Sequence, residues 1–340
     1  MFQGFQLFQE ILKNDNNIHA YTTNLIWFST SPLTILILCH LFFKSEQLLS
    51  FFTEWRRMEI RFMSNSNLDL ANARKVKYFI ICILCIIDLA NWIGIYWFIM
   101  FRPNESYLLS HFEFIRINIG LPLVTVYHLL VIVTSNIYVW HSDILPGFIF
   151  HRASLFLRSL ELNMEHIFCE WNRDHKMPQG SAVFEKRMSE MCLRYEMVSK
   201  LVNQANQLFG ALMIVNHGTV LFMICVMAYS MLYHIHASPI DAIIYFSGFS
   251  TFALLLTVGH LLAAKLHSAA LSLRSTLSSL KSQNSVQLTK KEFNVAFTLL
   301  VRLQEDQLAA RPLNLYTVTA SNLLTFTTLI ITYVIVLLQA

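Results

Sequence analysis

Apolar residues fall in six long runs, at Asn24–Phe43, Tyr78–Phe101, Phe114–Trp140, Leu208–His234, Ala242–Ala264 and Leu315–Leu338. A helix needs about 20 such residues to cross ~30 Å of hydrocarbon, and each run is long enough once tilt is allowed. Between the runs the apolar residues recur at helical spacing instead, as at Phe293, Phe297, Leu300, Leu303 and Leu308. The pattern predicts an all-α multipass membrane protein with six spans. Spans three, four and five should continue as helices into a packed bundle outside the bilayer. The prolines fit this frame: Pro103, Pro146, Pro178, Pro239 and Pro312 lie between spans, and Pro32 and Pro122 predict kinks within them.

Composition changes the picture little. The 340 residues are 55% hydrophobic and only 14% charged, against about 25% charged in soluble domains. A formal charge of +4, small and dispersed, argues against a nucleic-acid partner. The charges are nonetheless placed unevenly. The connections after spans one, three and five hold 22 of the 25 Lys and Arg, which assigns those connections to the cytosol. Six spans then put both termini outside. The outer connections, 102–113 and 236–241, are short, and Asn104-Glu105-Ser106 in the first is an N-glycosylation acceptor at Asn104. The reading divides the chain into a transmembrane bundle with helical extensions (1–264), a cytosolic helical segment (265–314) and a final span (315–340).

Enzyme chemistry finds no support, since the chain has no Gly-rich phosphate loop, no HExxH and no GxSxG. Cys82 and Cys85 have CxxC spacing, but on an apolar helix with no second ligand pair, where packing is the simpler role. No cofactor or metal is expected. His234, His236 and Asp241 offer a His and Asp pairing in an outer turn, a pattern short enough to arise by chance in a chain with 13 His. Asp88 in span two is expensive in lipid. It either bonds a neighbouring helix or, with Trp92, Tyr96, Asn118, Tyr229, Tyr233 and Tyr245, lines a small-molecule pocket in the outer half of the bundle.

The last run is the most informative. It carries no charge, yet Ser321, Thr325, Thr328, Thr332, Val336 and Gln339 recur every three or four residues and share one narrow stripe of a helix. Leu323, Ile330, Val334 and Leu337 lie opposite. Such a stripe is either a water-lined face or a seam between helices, where Ser and Thr bond back to their own backbone. One helix encloses nothing, so a pore would need several copies about an axis.

The closing segment Thr332-Tyr333-Val334-Ile335-Val336-Leu337-Leu338-Gln339 resembles the TYhhhhhQF signature that ends insect gustatory receptors, with Ala340 where the family has Phe. The aromatic and basic stretch Phe52–Arg61, the basic segment after Leu157-Arg158, and the helix leading to Pro312-Leu313 agree in layout. The resemblance implies seven helices with a cytosolic N-terminus and an outer C-terminus, so the six spans here correspond to the second to seventh and the first is absent. It further implies a tetramer, with copies of itself or with other gustatory receptor subunits. That tetramer would be a nonselective cation channel in the plasma membrane of a chemosensory neuron, opened by small-molecule tastants. Val336 would be its hydrophobic gate and Gln339 the collar above, with Glu305 and Asp306 drawing cations at the inner end. A G-protein-coupled receptor would need a basic cytosolic tail, and a membrane acyltransferase a second catalytic motif; neither is present.

Overall fold

The computed structural model describes residues 35–63, 82, 83, 86, 89, 93, 144–174, 180–235, 239–284, 289–305 and 308–339. Every regular element among them is helical: α1 (Ser45–Met63), α2 (Leu145–Asp174), α3 (Gly180–His234), α4 (Pro239–Asn284), α5 (Lys290–Glu305), a 3₁₀ turn at Pro312–Asn314, and α6 (Ser321–Gln339). The all-α expectation holds. α3 and α4 run unbroken from the basic segments through the predicted fourth and fifth spans, and each is long and apolar enough to cross a membrane. Span three, and most of spans one and two, lie outside the described residues.

The end of span one departs from a straight crossing. Helical stretch Ile35–Phe43 meets α1 at 68°. At the corner the Ser45 hydroxyl donates to the Phe42 carbonyl (2.9 Å), a local bond of the kind that competes with the straight ladder. Beyond it, Leu48, Phe51, Trp55, Met58 and Phe62 recur at steps of three and four, and all are buried. This stripe seats α1 on its neighbours: Phe51 meets Phe209 of α3, and Trp55 and Phe62 meet Phe156 of α2.

The basic parts of α1 to α5 form one core, with Phe150, Phe156, Phe168, Phe184, Tyr195 and Phe209 fully buried. Each such side chain contributes roughly 1.5–3 kcal/mol by leaving water. Carboxylates set the register between helices. Glu59 on α1 accepts from Arg152 Nε of α2 (3.0 Å) and Trp55 Nε1 (3.3 Å). Glu161 on α2 accepts from Ser272 and Thr276 of α4, both at 2.7 Å. Glu292 starts α5 in a capping box with Thr289 and also accepts from Trp171 Nε1 of α2 (3.0 Å). Burial pushes its carboxyl up, but the hydrogen bonds from Thr289, Trp171 and Ser181 outweigh that and hold it below the usual carboxylate range.

His151 on α2 is lowered to about 4, by burial first and then by Lys265, Arg158 and Arg152. A histidine kept neutral in the fold stabilises it fully above its unfolded pKa of about 6.5, and that contribution is lost as pH falls from there towards 4. After allowance for screening at a partly exposed site it amounts to something on the order of 1–2 kcal/mol. Thermal melts of the detergent-purified chain should therefore fall between pH 7 and 5, and His151→Gln should flatten the fall; parallel curves for the two proteins would refute this reading.

Two helices in this frame touch backbone to backbone. A Cβ on Gly147 of α2 would sit 2.8 Å from the carbonyl oxygen of Gly259 on α4. Small residues permit such an approach between helices, and the next α4 residue, His260, meets the chain entering α6.

Candidate functional site, the final helix and its link

The apolar run predicts a last helix from Leu315; the helix starts instead at Ser321. Leu308 to Ala320 form an irregular link, and its apolar residues pack rather than wind: Leu308, Ala309, Ala310, Pro312 and Val318 are buried. Pro312 opens the 3₁₀ turn, and Leu313 and Asn314 then take positive φ of 48° and 59°. That region suits Asn and is unfavourable for Leu, so contacts elsewhere hold the turn.

A single stripe of α3 supplies them. Asn206 Nδ2 donates to the Ala309 carbonyl (3.0 Å), and its Oδ1 accepts from the Arg311 amide (2.7 Å). One helical turn on, a Cβ on Gly210 would lie 2.8 Å from the Leu313 amide nitrogen, so only glycine lets the turn sit there. Two turns further, His217 Nδ1 shares a hydrogen bond with the Tyr316 hydroxyl. From α4, the His260 Nε2–H donates to the Thr319 carbonyl (2.8 Å). The two imidazoles are 5.7 Å apart, and Phe326 of α6 packs against both, at 6.0 and 5.3 Å. His260 is 0% and His217 3% exposed. Thr319 and Asn322 then begin α6: the Thr319 amide donates to Asn322 Oδ1 (2.8 Å) and the Asn322 amide to the Thr319 carbonyl (3.1 Å).

α6 has 19 residues, about 28 Å at 1.5 Å each, close to the ~30 Å of a hydrocarbon core. Phe326 and Ile330 pack on Val220, Ile224 and Leu256 of α3 and α4, and Val334 is buried. On the opposite side Ser321, Thr325, Thr328, Thr332, Val336 and Gln339 are all exposed, Val336 at 56%. The Thr328 and Thr332 hydroxyls donate to the Leu324 and Thr328 carbonyls at 3.0 and 2.9 Å. Their protons are thereby engaged within the helix, and the oxygen lone pairs remain for whatever occupies this face. Leu324, Leu329, Ile331, Tyr333, Ile335 and Leu338 leave apolar flanks exposed on either side of the stripe.

The other predicted residues divide. Tyr229 and Tyr245 are buried and Tyr233 is exposed. His234 stacks on Tyr245 (5.7 Å, 13°) and meets Tyr233 edge-on (5.3 Å), and Tyr233 in turn lies 6.2 Å from Tyr229. The His234 imidazole is thus an aromatic packing partner. His236 lies outside the described residues, as do Asp88, Trp92, Tyr96, Asn118, Asn104, Cys85 and Asp306, and so do the side chains of Asp241, Glu305 and Leu337. Asn206, Gly210, His217, His260 and Tyr316 were not singled out by sequence. The signal was present in part, because Asn206, Gly210 and His217 stand at i, i+4 and i+11 on one face of an apolar helix.

Two long apolar helices rising from a basic helical bundle, with an uncharged final helix held at its base by both, define a helical membrane protein. The 7tm chemosensory receptor family model matches residues 4–340, and the chain belongs to that family. No curated protein matches its sequence. Among solved structures it is similar to the insect olfactory receptor OR5 from Machilis hrabei. There the TM-score is 0.62 at 14% identity, over 95% of this chain and 82% of that one. At that identity the likeness is one of fold.

Proposed function

We propose that this chain is a gustatory receptor subunit of a tetrameric, ligand-gated, nonselective cation channel, with its basic bundle in the cytosol and its C-terminus outside the plasma membrane. The observation that carries the reading is the division of α6 into two faces. The inner face is seated on α3 and α4, whereas the stripe from Ser321 to Gln339 is polar at every member except Val336 and is wholly exposed. In a ring of four copies about an axis the stripe faces a lumen, and the apolar flanks meet neighbouring subunits or lipid. Threonine lone pairs then line the path of a cation, Val336 closes it by dewetting, and Gln339 forms a polar mouth. A tastant bound among the earlier spans, where Asp88, Trp92, Tyr96, Asn118, Tyr229, Tyr233 and Tyr245 are candidates, opens the pore by binding the open state better than the closed.

The test is whole-cell recording from cells expressing the chain alone and with other gustatory receptor subunits, during application of sugars, bitter compounds and other small tastants. A ligand-evoked current carried by Na⁺ and K⁺ alike is expected. Ligand-evoked G-protein signalling without such a current would replace this reading with that of a metabotropic receptor.

A further inference from the structure

We propose that His217 and His260 form a latch that restrains the base of the pore helix, so that releasing either one makes the channel easier to open. The inference rests on the channel reading of α6 and adds the residues that set its resting position. Four segments meet on these two imidazoles: α3 through His217, α4 through His260, the link through Tyr316 and Thr319, and α6 through Phe326. The link has no helical ladder of its own between the 3₁₀ turn and Ser321. One backbone bond, from the Val318 amide to the Ala310 carbonyl (2.9 Å), closes it on itself, and side chains of other helices set where it sits. Asn206 and Gly210 fix the end nearer the basic bundle, and the two histidines fix the end that carries the pore helix.

The chemistry suits a latch rather than a permanent weld. The hydrogen bond from each histidine to the link is worth about 1 kcal/mol net, and α6 packs on α3 and α4 through a narrow apolar face. For the outer end of α6 to move off the axis, its base must turn on the link. Both bonds oppose that turn, and their loss reduces the work of opening. His217 and His260 act through Tyr316 and Thr319 and are positioning residues.

The experiment records ligand-evoked and resting currents for His217→Phe, Tyr316→Phe, the double variant, His260→Phe and His260→Gln, with surface biotinylation alongside. His217→Phe and Tyr316→Phe should each lower the half-maximal tastant concentration about fivefold, a typical coupling between sites, and raise resting current at unchanged surface level. The double variant should go no further than either single one, because both remove the same bond. His260→Phe should act in the same direction, whereas His260→Gln keeps an N–H for the Thr319 carbonyl and should stay within about twofold of the parent. Tyr316→Phe removes one oxygen from a half-buried ring, so it decides the matter even where a histidine variant fails to reach the surface. Unchanged or raised half-maximal concentrations, or additive effects in the double variant, would overturn the latch while leaving the channel intact. Absence of any evoked current from the parent chain with its partners would overturn the channel reading and the latch together.

Discussion

Val336→Ser is expected to give cells a standing cation current without any tastant, severalfold above the parent at equal surface expression. Val336 is the one apolar member of the exposed stripe, and in the proposed tetramer four valines around a narrow axis would expel water and with it any ion that must stay hydrated. A hydroxyl at that position restores water to the constriction. Gln339→Arg, one turn nearer the mouth, should do the opposite. Four guanidinium groups facing one another raise the barrier to a monovalent cation by about 1 kcal/mol per charge at ~4 Å in water, and by more where the wall excludes solvent. Evoked current should fall at least tenfold, and any residual current should shift towards anions. Variants on the seated side, such as Ile330→Ala, should reduce the amount of protein at the surface before they alter selectivity. If Ile330→Ala changes selectivity while Val336→Ser and Gln339→Arg do not, the exposed stripe is a packing seam.

Gly147→Val is expected to abolish surface expression. The Cβ it introduces meets the Gly259 carbonyl at 2.8 Å, and its branches have no room between two backbones that cannot give way by rotamer change. Overpacking of this kind costs typically 1–3 kcal/mol where side chains can adjust, and here the helices themselves must separate. The comparison that isolates the cause is Gly248→Ala. Its Cβ would meet Met227 Sδ at the same 2.8 Å, but a thioether side chain swings aside, so this variant should be expressed nearly as well as the parent. Gly218→Ala meets nothing within 4 Å and should gain up to about 1 kcal/mol from helix propensity. Equal expression of the Gly147 and Gly248 variants, read by biotinylation, would show that the α2 and α4 backbones are not in contact.

These two sets of residues differ in how readily the sequence discloses them. The exposed stripe of α6 is a one-dimensional signal: polar residues at helical spacing within an uncharged run, with Phe326, Ile330 and Val334 on the far side. The continuation of α3 and α4 beyond the membrane is equally local, because the period of 3.6 persists where the run of apolar residues ends. The link from Leu308 to Ala320 is different in kind. Leu315, Tyr316 and Val318 extend the apolar run and read as helix, yet Val318 is buried in the bundle core and Leu313 is held at positive φ. What overrides the local pattern there is a set of contacts from Asn206, Gly210, His217 and His260, between 59 and 105 positions away along the chain. A lone Asn or His in an apolar helix does not announce its partner. The corner at Ser45 was hidden for the same reason, since a serine hydroxyl that bonds a carbonyl in one context points to solvent in another.

The unbroken course of α3 has a mechanical consequence. Its 55 residues make a rod about 80 Å long at 1.5 Å per residue, with His234 and the tyrosines at one end and Phe184, in the bundle core, near the other. With the stripe of Asn206, Gly210 and His217 near its middle acting as fulcrum, a tilt of about 5° moves each tip by roughly 3–4 Å in opposite directions. A displacement comparable to one methyl group's diameter at one tip would thus be returned, undiminished, at the other, and its transmission would need no chain of small adjustments in between.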